Sequence, residues 1–365
     1  MRRFFPLALA LTATSLEAQS IFDVGARVAP QFIQYRLGTP SSATISEFAL
    51  PIFVLVPATP ALSFDLGSAY TSARVEEAAG KTKTTSAISG LTDTQIRVHY
   101  TIGTDFVVLT GGVNLPTGRS TVRSGEVLAA GLIGSDFLAF PISNMGTGFG
   151  GTGGIAVARP LGDWNLGLGA SLRHSAQYDP LEQSGSQAVH YQPGNEYRLR
   201  MGGDRAFGTG RVTVGISYST FGNDDLGGSV YNTGDRYLGE LSVMNTVGVG
   251  QLTVAGWDLF RAPGTIADLS SIGHENIANL MTGYAMRTSR ALVEPTLELR
   301  GWTQADATAS YLANVGVRLE LDVAGYAVSP SVGYSLGRVA AEDANGGNTS
   351  AQLTGFRGIL AIRLR

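Results

Sequence analysis

The segment YLANVGVRLELDV, from Tyr311 to Val323, alternates apolar and polar residues almost without a break. Tyr, Ala, Val and Leu occupy every second position, and Asn314, Arg318 and Glu320 stand between them. Successive side chains of a β-strand point to opposite faces, so one face of this strand is apolar and the other is polar or charged. This pattern over about ten residues is typical of a barrel strand with lipid outside and water inside.

The same alternation recurs along the chain. After a turn at Ala324 and Gly325, apolar residues again take every second position from Tyr326 to Leu336, and Arg211 to Phe221 follows the same rule. The segment that begins at Val293 places Glu294 and Glu298 on its polar face. A soluble core could not bury such carboxylates unpaired, whereas a water-filled lumen accommodates them.

These segments predict an all-β fold, a transmembrane antiparallel up-and-down β-barrel of about 16 strands, with 14 as the alternative. Short turn signals separate alternate pairs of strands, and longer polar connections separate the others. The short turns fall near residues 59–60, 103–105, 161–163, 208–210, 248–250, 288–290 and 324–325. Bacterial barrels have short periplasmic turns and long outer loops, so both termini are expected on the periplasmic side.

Composition agrees with a membrane barrel. Glycine accounts for 48 of 365 residues and charged residues for only 15 %, against roughly 25 % in soluble domains. The net charge of −3 and the absence of a basic cluster give no support for a nucleic-acid partner. Cysteine is absent, which excludes disulfides and thiolate chemistry. No stretch is long and apolar enough to predict a spanning helix.

The N-terminus has the features of a secretory signal. Arg2 and Arg3 precede an apolar core, and Ala18 supplies a small residue before the expected cleavage. Residues 1–18 are therefore predicted to be a signal peptide and residues 19–365 a single barrel; an N-terminal strand led by the same arginines is the alternative. Export predicts a location in the bacterial outer membrane, with membrane lipids and the outer-membrane assembly machinery as partners.

One short motif carries a family resemblance. The sequence GVNLPTG, from Gly112 to Gly118, ends a strand and opens the longest connection of the chain. This strand end, with the Gly-rich segment that follows it, resembles outer-membrane proteins of the phenol-degradation meta-pathway type, which are loosely related to the fatty-acid channels. The resemblance implies a barrel that takes up hydrophobic or aromatic compounds. The Asn-Pro-Ala hatch motif of fatty-acid channels is absent here.

The long connection, at about residues 116–148, is too apolar for a freely solvated loop tip. We expect it to fold into the barrel or to pack on its rim. As a constriction it would narrow the pore, and the alternative is a lid or a contact between subunits of a homo-oligomer. The candidate constriction residues are Leu128, Leu132, Phe137 and Phe140.

Charged residues on the polar faces of the strands are the candidate pore lining. They are Arg97, Arg173, Arg198, Arg200, Arg211, Glu240, Glu294, Glu298, Arg318 and Glu320. Arginines predominate on the earlier strands and carboxylates on the later ones, so opposite walls could carry opposite charge and orient a dipolar solute. The alternative is that these charges pair across neighbouring strands and serve only to complete the wall.

The sequence therefore predicts an outer-membrane channel for passive uptake of small, hydrophobic or aromatic solutes. A general diffusion porin is one alternative, and a barrel with a plugged lumen and a structural, adhesive or enzymatic role is another. The four histidines lie outside any nucleophile elbow, zinc-ligand spacing or phosphate-binding glycine motif. We accordingly expect no enzymatic activity, no catalytic residues, no metal and no cofactor.

Overall fold

A computed structural model describes residues 25–39, 42–79, 82–103, 106–182, 189–266, 270–305, 307–342 and 347–364. The predicted signal peptide, residues 1–18, lies outside these ranges. Within them, sixteen antiparallel strands form one closed barrel. The predicted barrel of about 16 strands is confirmed, and the 14-strand alternative is wrong.

Each strand pairs with its neighbours in chain order. The strands are β1 (Gly25–Val28 and Gln31–Leu37), β2 (Ala43–Thr59), β3 (Leu62–Ala79), β4 (Thr82–Leu91 and Thr94–Ile102), β5 (Val107–Leu115), β6 (Gly150–Leu161), β7 (Trp164–Ser175), β8 (Glu196–Phe207), β9 (Gly210–Phe221), β10 (Arg236–Val247), β11 (Gly250–Arg261), β12 (Glu275–Arg287), β13 (Ala291–Gln304), β14 (Ser310–Val323), β15 (Tyr326–Glu342) and β16 (Asn348–Leu364).

Two of these strands are interrupted. β1 breaks at Ala29 and Pro30, since proline has no N–H to donate to the ladder. Both parts of β1 pair with β2 on one side and with β16 on the other, which closes the barrel. β4 breaks at Thr92 and Asp93, and both of its parts pair with β3.

The two faces of the wall follow the predicted alternation. Apolar side chains of every second residue point outward, and many of them are more than half exposed: Leu199, Met201, Ile216, Val315, Val332 and Tyr334. On the strand that decided the fold, Asn314 faces inward and donates a hydrogen bond to Ser335 Oγ of β15 at 2.7 Å. The barrel is therefore apolar outside and largely polar inside, as a transmembrane barrel requires, and the inward-facing Ile45, Val75 and Leu353 belong to an apolar exception.

The seven turns that the sequence predicts to be short lie at one end of the barrel. Backbones there take left-handed conformations, which suit the tight turns between adjacent antiparallel strands. Gly103, Gly162, Gly208 and Gly248 have φ between 52° and 73°. In the turn from β14 to β15, Ala324 has φ 50° and Gly325 has φ 85°, so an alanine occupies a position that favours glycine.

The barrel wall is of unequal height. β2, β15 and β16 have 17 residues each and β3 has 18, whereas β5 has 9 and β6 to β11 have 12 each. The strands are joined by short turns at one end, so the additional residues project at the end of the long loops. Five additional residues extend a strand by about 15 Å.

The long connections carry small elements of their own. Between β5 and β6 lie a turn of 3₁₀ helix (Ser124–Glu126) and the helix α1 (Val127–Ile133). Five short segments, Tyr191–Gln192, Asp224–Leu226, Ser229–Asn232, Gly264–Ile266 and Ser270–Ile272, form a small second sheet. Among the described residues, none of the helices has the length and apolar character needed to cross a bilayer.

Candidate functional site

The connection between β5 and β6, here called the inner loop (residues 116–149), folds into the barrel. Its apolar side chains Ile133, Phe137, Leu138 and Phe140 are buried. They form one hydrophobic cluster with wall residues from strands on both sides of the closing seam: Ile33, Tyr35, Ile45, Ala73, Val75, Ile88, Leu312 and Leu353. The inner loop thus packs against the inner face of the tall side of the barrel.

Both ends of the inner loop are held by one carboxylate. Asp93, at the break in β4, is buried and accepts a hydrogen bond from Gly118 N–H at 3.0 Å and from Thr147 N–H at 2.7 Å. It also accepts one from Asn114 Nδ2 at 2.8 Å, and Asn114 donates in turn to the carbonyl of Gly148 at 2.7 Å. A buried charge with three donors is well satisfied, so Asp93 fixes where the inner loop starts and ends.

This arrangement explains the LPTG residues at 115–118. The Thr117 hydroxyl oxygen lies 2.8 Å from Thr94 N and accepts its hydrogen bond. This contact joins the motif to the second part of β4. Gly118 is packed so closely that a Cβ atom there would lie 2.2 Å from the Met145 carbonyl oxygen and 2.5 Å from Asp93 N. Only glycine fits at this crossing of two backbones.

The tip of the inner loop is bound at two places along the tall side of the barrel. The carbonyl of Phe137 accepts a hydrogen bond from Arg300 Nη1 of β13 at 2.6 Å, and the Phe137 ring stacks on Trp302 with centroids 5.5 Å apart. On the other side, Ile142 N–H donates to Glu47 Oε1 of β2 at 3.1 Å. The tip therefore spans from β13 to β2 inside the barrel.

An ion pair supports the first turn of the inner loop. Arg119 donates to both carboxylate oxygens of Glu126, at 3.1 Å and 2.6 Å. This side-chain hydrogen bond, together with the hydrogen bond from Arg123 N–H and the two positive charges, holds the pKa of Glu126 below its ordinary value although partial burial opposes the effect. Glu126 is therefore ionised at neutral pH and ties Arg119 to the start of the helical segment.

The structure separates the four candidate constriction residues into two groups. Phe137 and Phe140 are buried between the inner loop and the wall, so they anchor the loop and do not face the passage. Leu132 is partly buried against the same cluster. Leu128, on α1, is exposed and faces open space. Of the four, Leu128 remains the candidate for contact with a solute.

The candidate pore-lining residues all lie on the inward-facing positions of their strands, and most of them meet a residue of opposite charge. Arg211 Nε lies 3.0 Å from Asp204 Oδ2, and Arg318 Nε lies 2.8 Å from Glu294 Oε2. The remaining pairs are Arg198 with Glu196, Arg200 with Glu240, Arg300 with Glu298, and Arg318 with Glu320. These contacts favour the pairing alternative over two walls of opposite charge.

One of these pairs depends on a glycine between its partners. Arg200 of β8 and Glu240 of β10 are separated by β9, whose Gly215 lies beside Glu240 in the register. A Cβ atom at Gly215 would lie 3.2 Å from Glu240 Oε2 and 4.0 Å from Arg200 Nη2. The missing side chain lets the two charged groups meet across the intervening strand.

Arg97 and Arg173 differ from the other candidates. Arg97 Nη2 donates to Gln95 Oε1 on its own strand at 2.6 Å. Neither Arg97 nor Arg173 forms an ion pair with any of the residues that the structure describes. Both face the lumen on a part of the wall that the hydrophobic cluster of the inner loop does not cover.

Sequence reasoning missed the residues that hold the inner loop. Asp93, Glu47, Tyr35 and Arg119 are far from the loop tip in sequence or lie in ordinary strand positions. Tyr35, for example, donates its hydroxyl to the carbonyl of Leu138 at 3.1 Å across 103 positions of the chain. The only sequence signal was at Asp93, where the alternation of β4 breaks.

No group of three or more His, Asp or Glu side chains in the described ranges could hold a metal ion. His99 lies 3.0 Å from Asp65 Oδ2 through Nε2 and 3.2 Å from Thr110 Oγ1 through Nδ1. These three residues lie on adjacent strands, so the contacts connect β3, β4 and β5 across the wall.

Comparisons with known proteins reveal no relative in sequence. No known family model matches the chain, and no curated protein matches it. The resemblance at residues 115–118 to the phenol-degradation type therefore stays a prediction.

Solved structures of bacterial outer-membrane proteins are similar over most of the chain. The COG4313 outer membrane channel from Pseudomonas putida F1 shares 12 % identity over 93 % of this chain and 96 % of that one, with a TM-score of 0.39. A FadL homologue of Pseudomonas aeruginosa shares 11 % identity over 93 % and 90 %, with a TM-score of 0.45. A mutant of the Rh. blastica porin shares 14 % over 92 % and 99 %, with a TM-score of 0.35. The likeness is one of fold.

The architecture itself indicates the location of the protein. A closed β-barrel with an apolar exterior spans a bilayer with every strand hydrogen-bonded, and such barrels occur in the bacterial outer membrane. Its outward side chains therefore contact membrane lipids. Exposed tyrosines border the apolar band at both ends, with Tyr100 and Tyr326 near the short turns and Tyr197 and Tyr311 near the long loops.

Proposed function

We propose that this protein is an outer-membrane channel through which small solutes, hydrophobic or aromatic ones in particular, cross by passive diffusion. The observation that carries the proposal is the division of the lumen. An apolar loop is fastened to the tall side of the barrel, and the facing wall is polar and built from small residues and paired charges. A passage between such surfaces suits a solute with an apolar body and a polar end.

The inner loop narrows the lumen, and both apolar and polar residues line the passage that remains. Sixteen-stranded barrels are wide enough for an aqueous channel unless something fills them, and the packed cluster of the inner loop occupies the side from β13 to β4. The exposed Leu128 offers an apolar contact. The paired charges of β8 to β10 keep the opposite wall wet without a large net charge.

Single-channel conductance of the refolded protein in planar bilayers tests this proposal. We expect steady openings that are small for a barrel of this size, and partial block by an aromatic solute such as benzyl alcohol. A swelling assay with proteoliposomes and neutral sugars of increasing size separates the alternative of a general diffusion porin, which would admit the sugars in order of size. Well-folded barrels that insert and never conduct would contradict the channel and favour a plugged lumen.

Export by the predicted signal peptide, insertion by the outer-membrane assembly machinery and association into a homo-oligomer belong to the same proposal. The absence of enzymatic activity is part of it as well. Mass spectrometry of the protein purified from outer membranes tests the predicted cleavage before Gln19, because the mature N-terminus is read directly.

A further inference from the structure

Arg97 of β4 and Arg173 of β7 lie in one row across the inner wall, with two small residues between them. The register pairs Arg97 with Gly112 of β5 and pairs Arg173 with Thr152 of β6. Gly112 and Thr152 are themselves partners. A Cβ atom at Gly112 would lie 3.3 Å from Cγ of Arg97, so the Arg97 side chain lies over the glycine. The two guanidinium charges interact with each other.

The carboxylates at the cross-strand positions beside this pair are engaged elsewhere. Asp65 is the cross-strand partner of Arg97, but its Oδ2 lies 3.0 Å from Nε2 of His99. Glu196 is the cross-strand partner of Arg173, but its Oε1 accepts from Arg198 at 2.5 Å. The charge of Asp65 still acts on Arg97 without a direct contact. Two like charges therefore face each other with no ion-pair partner among the described residues.

Several other arginines on the inner wall are neutralised by carboxylates. Arg198, Arg211 and Arg318 each have a carboxylate within 3.0 Å. Arg97 and Arg173 lack such a carboxylate among the described residues and face each other, so the potential at that place is positive. An anion between the two guanidinium groups would relieve their repulsion and gain charge-assisted hydrogen bonds.

The space between the two arginines is open and polar. The floor consists of Gly112 and Thr152, and the next row contains Thr110, Gly154 and Ser171. Gly112 in this patch lies two residues from Asn114, toward the short turns, and Asn114 binds the end of the inner loop. A solute that passes the inner loop therefore meets the two arginines next.

We propose that Arg97 and Arg173 bind the carboxylate of a small organic acid as it crosses the barrel. The site rests on the proposed function and adds the chemical class of the solute: a monocarboxylate with an apolar body. Guanidinium groups present a planar fork that matches the two oxygens of a carboxylate. Release of the solute, which a channel requires, is favoured because Arg173 is exposed.

Two measurements with benzoate as the probe test the site in the full-length refolded protein. Isothermal titration calorimetry measures binding directly, and planar bilayers measure the concentration that half-blocks the current. We expect Arg97→Gln and Arg173→Gln each to weaken benzoate binding and block about tenfold, since each removes hydrogen bonds to a charged group. Arg97→Lys keeps the charge and loses the fork, so an intermediate effect is expected.

Arg205→Gln is the matched control. Arg205 faces outward beside the turn to β9 and pairs with Asp163, which is 74 % exposed, so the substitution removes the same charge away from the lumen. Heat-modifiable migration in gels verifies that each variant forms a barrel. Two further probes separate charge from the aromatic ring. Inorganic phosphate has a negative charge but no carboxylate, and benzyl alcohol has an aromatic ring but no charge.

The outcomes are distinct. Loss of benzoate binding in both lumen variants, with Arg205→Gln unchanged, supports the site. Unchanged benzoate binding in both lumen variants overturns it, as does equal binding of benzyl alcohol or an equal loss in Arg205→Gln. A protein that binds benzoate through Arg97 and Arg173 but never conducts contradicts the proposed channel and leaves the site standing. A protein that conducts without binding benzoate contradicts the site alone.

Discussion

Asp93 accepts a hydrogen bond from the backbone N–H of Gly118 at 3.0 Å, and through this contact a break in one strand of the wall sets the start of the inner loop. The same carboxylate binds Thr147 N–H at the other end. Some 29 residues of chain thus leave and return at a single side chain. The two ends of the inner loop, which narrows the lumen, are therefore positioned by this one carboxylate.

Replacing Asp93 with alanine should release the inner loop. The change leaves three partly buried donors without their acceptor, and the docking of the loop should weaken by about 3 kcal/mol. Trp302 stacks on Phe137 in the docked loop, so its fluorescence in a background with Trp164 and Trp257 replaced by Phe reports the release as a shift to longer wavelength.

Asp163→Ala is the control for Asp93→Ala, because Asp163 is an exposed carboxylate with a single ion pair at a short turn. It should leave the Trp302 emission unchanged. The same emission in Asp93→Ala and in the parent protein would show that Asp93 does not hold the loop.

Gly118→Ala should have a similar effect for a steric reason. The added methyl group would lie 2.2 Å from the Met145 carbonyl oxygen, so the two ends of the inner loop would have to separate. Gly131→Ala is the matched control: no atom lies within 4 Å of its Cβ position in the middle of α1, and alanine favours the helix by about 1 kcal/mol.

Trypsin cleavage after Arg119 measures this second effect. We expect faster cleavage in Gly118→Ala and the same or slower cleavage in Gly131→Ala. Equal rates in the two variants would contradict the close backbone contact at Gly118.

The ion pair between Arg119 and Glu126 should make the docking of the inner loop depend on pH. The pKa of Glu126 is held below its ordinary value of 4.5 by its hydrogen bond from Arg119. The stabilisation is therefore fully present above the ordinary pKa and is lost as the pH falls through the lowered one.

A pH titration of Trp302 emission in the parent protein and in Glu126→Gln tests this dependence. The variant should be less well docked at pH 7, and the difference should vanish in acid. A difference that does not shrink as the pH falls below 4.5 would rule out Glu126 as its source, because protonation of this carboxylate removes the ion pair.

The turn at Ala324 offers a prediction about stability. Alanine in a left-handed conformation costs about 1 kcal/mol relative to glycine, and Ala324 has φ 50°. Ala324→Gly should raise the midpoint of urea unfolding. Ala327→Gly, three residues later on the buried inner face of β15, should lower it instead, and stabilisation by both changes would indicate an effect unrelated to the turn.

The wall and an apolar loop folded against it were predictable from the sequence, and the contacts that hold the loop were not. The alternation from Tyr311 to Val323 is a local property of a strand between lipid and water, so single segments reveal it and their number gives the barrel. The docking of the loop is non-local. Asp93, Gly118 and Thr147 meet only because β4, β5 and β6 are neighbours, and nothing in their immediate sequence predicts the contact.

The charges of the lumen show the same limit. The sequence places Arg200 and Glu240 on inward-facing positions, but they are 40 residues apart, and their meeting depends on Gly215 between them. Register decides which charges pair and which do not. Arg97 and Arg173 have the same sequence pattern as the paired arginines. They differ because Asp65 contacts His99 and Glu196 binds Arg198.

The surface that receives the inner loop is contributed by both ends of the chain, since Tyr35 belongs to the first strand and Leu353 to the last. The surface is therefore complete only when β1 and β16 have joined, although Ile45 and Val75 of β2 and β3 belong to it whether or not the ring is closed. The docked loop touches the strands on both sides of the closing seam, so its packing adds to the ladder that holds the first and last strands together. Closure of the ring and full docking of the loop are thus coupled, and each stabilises the other.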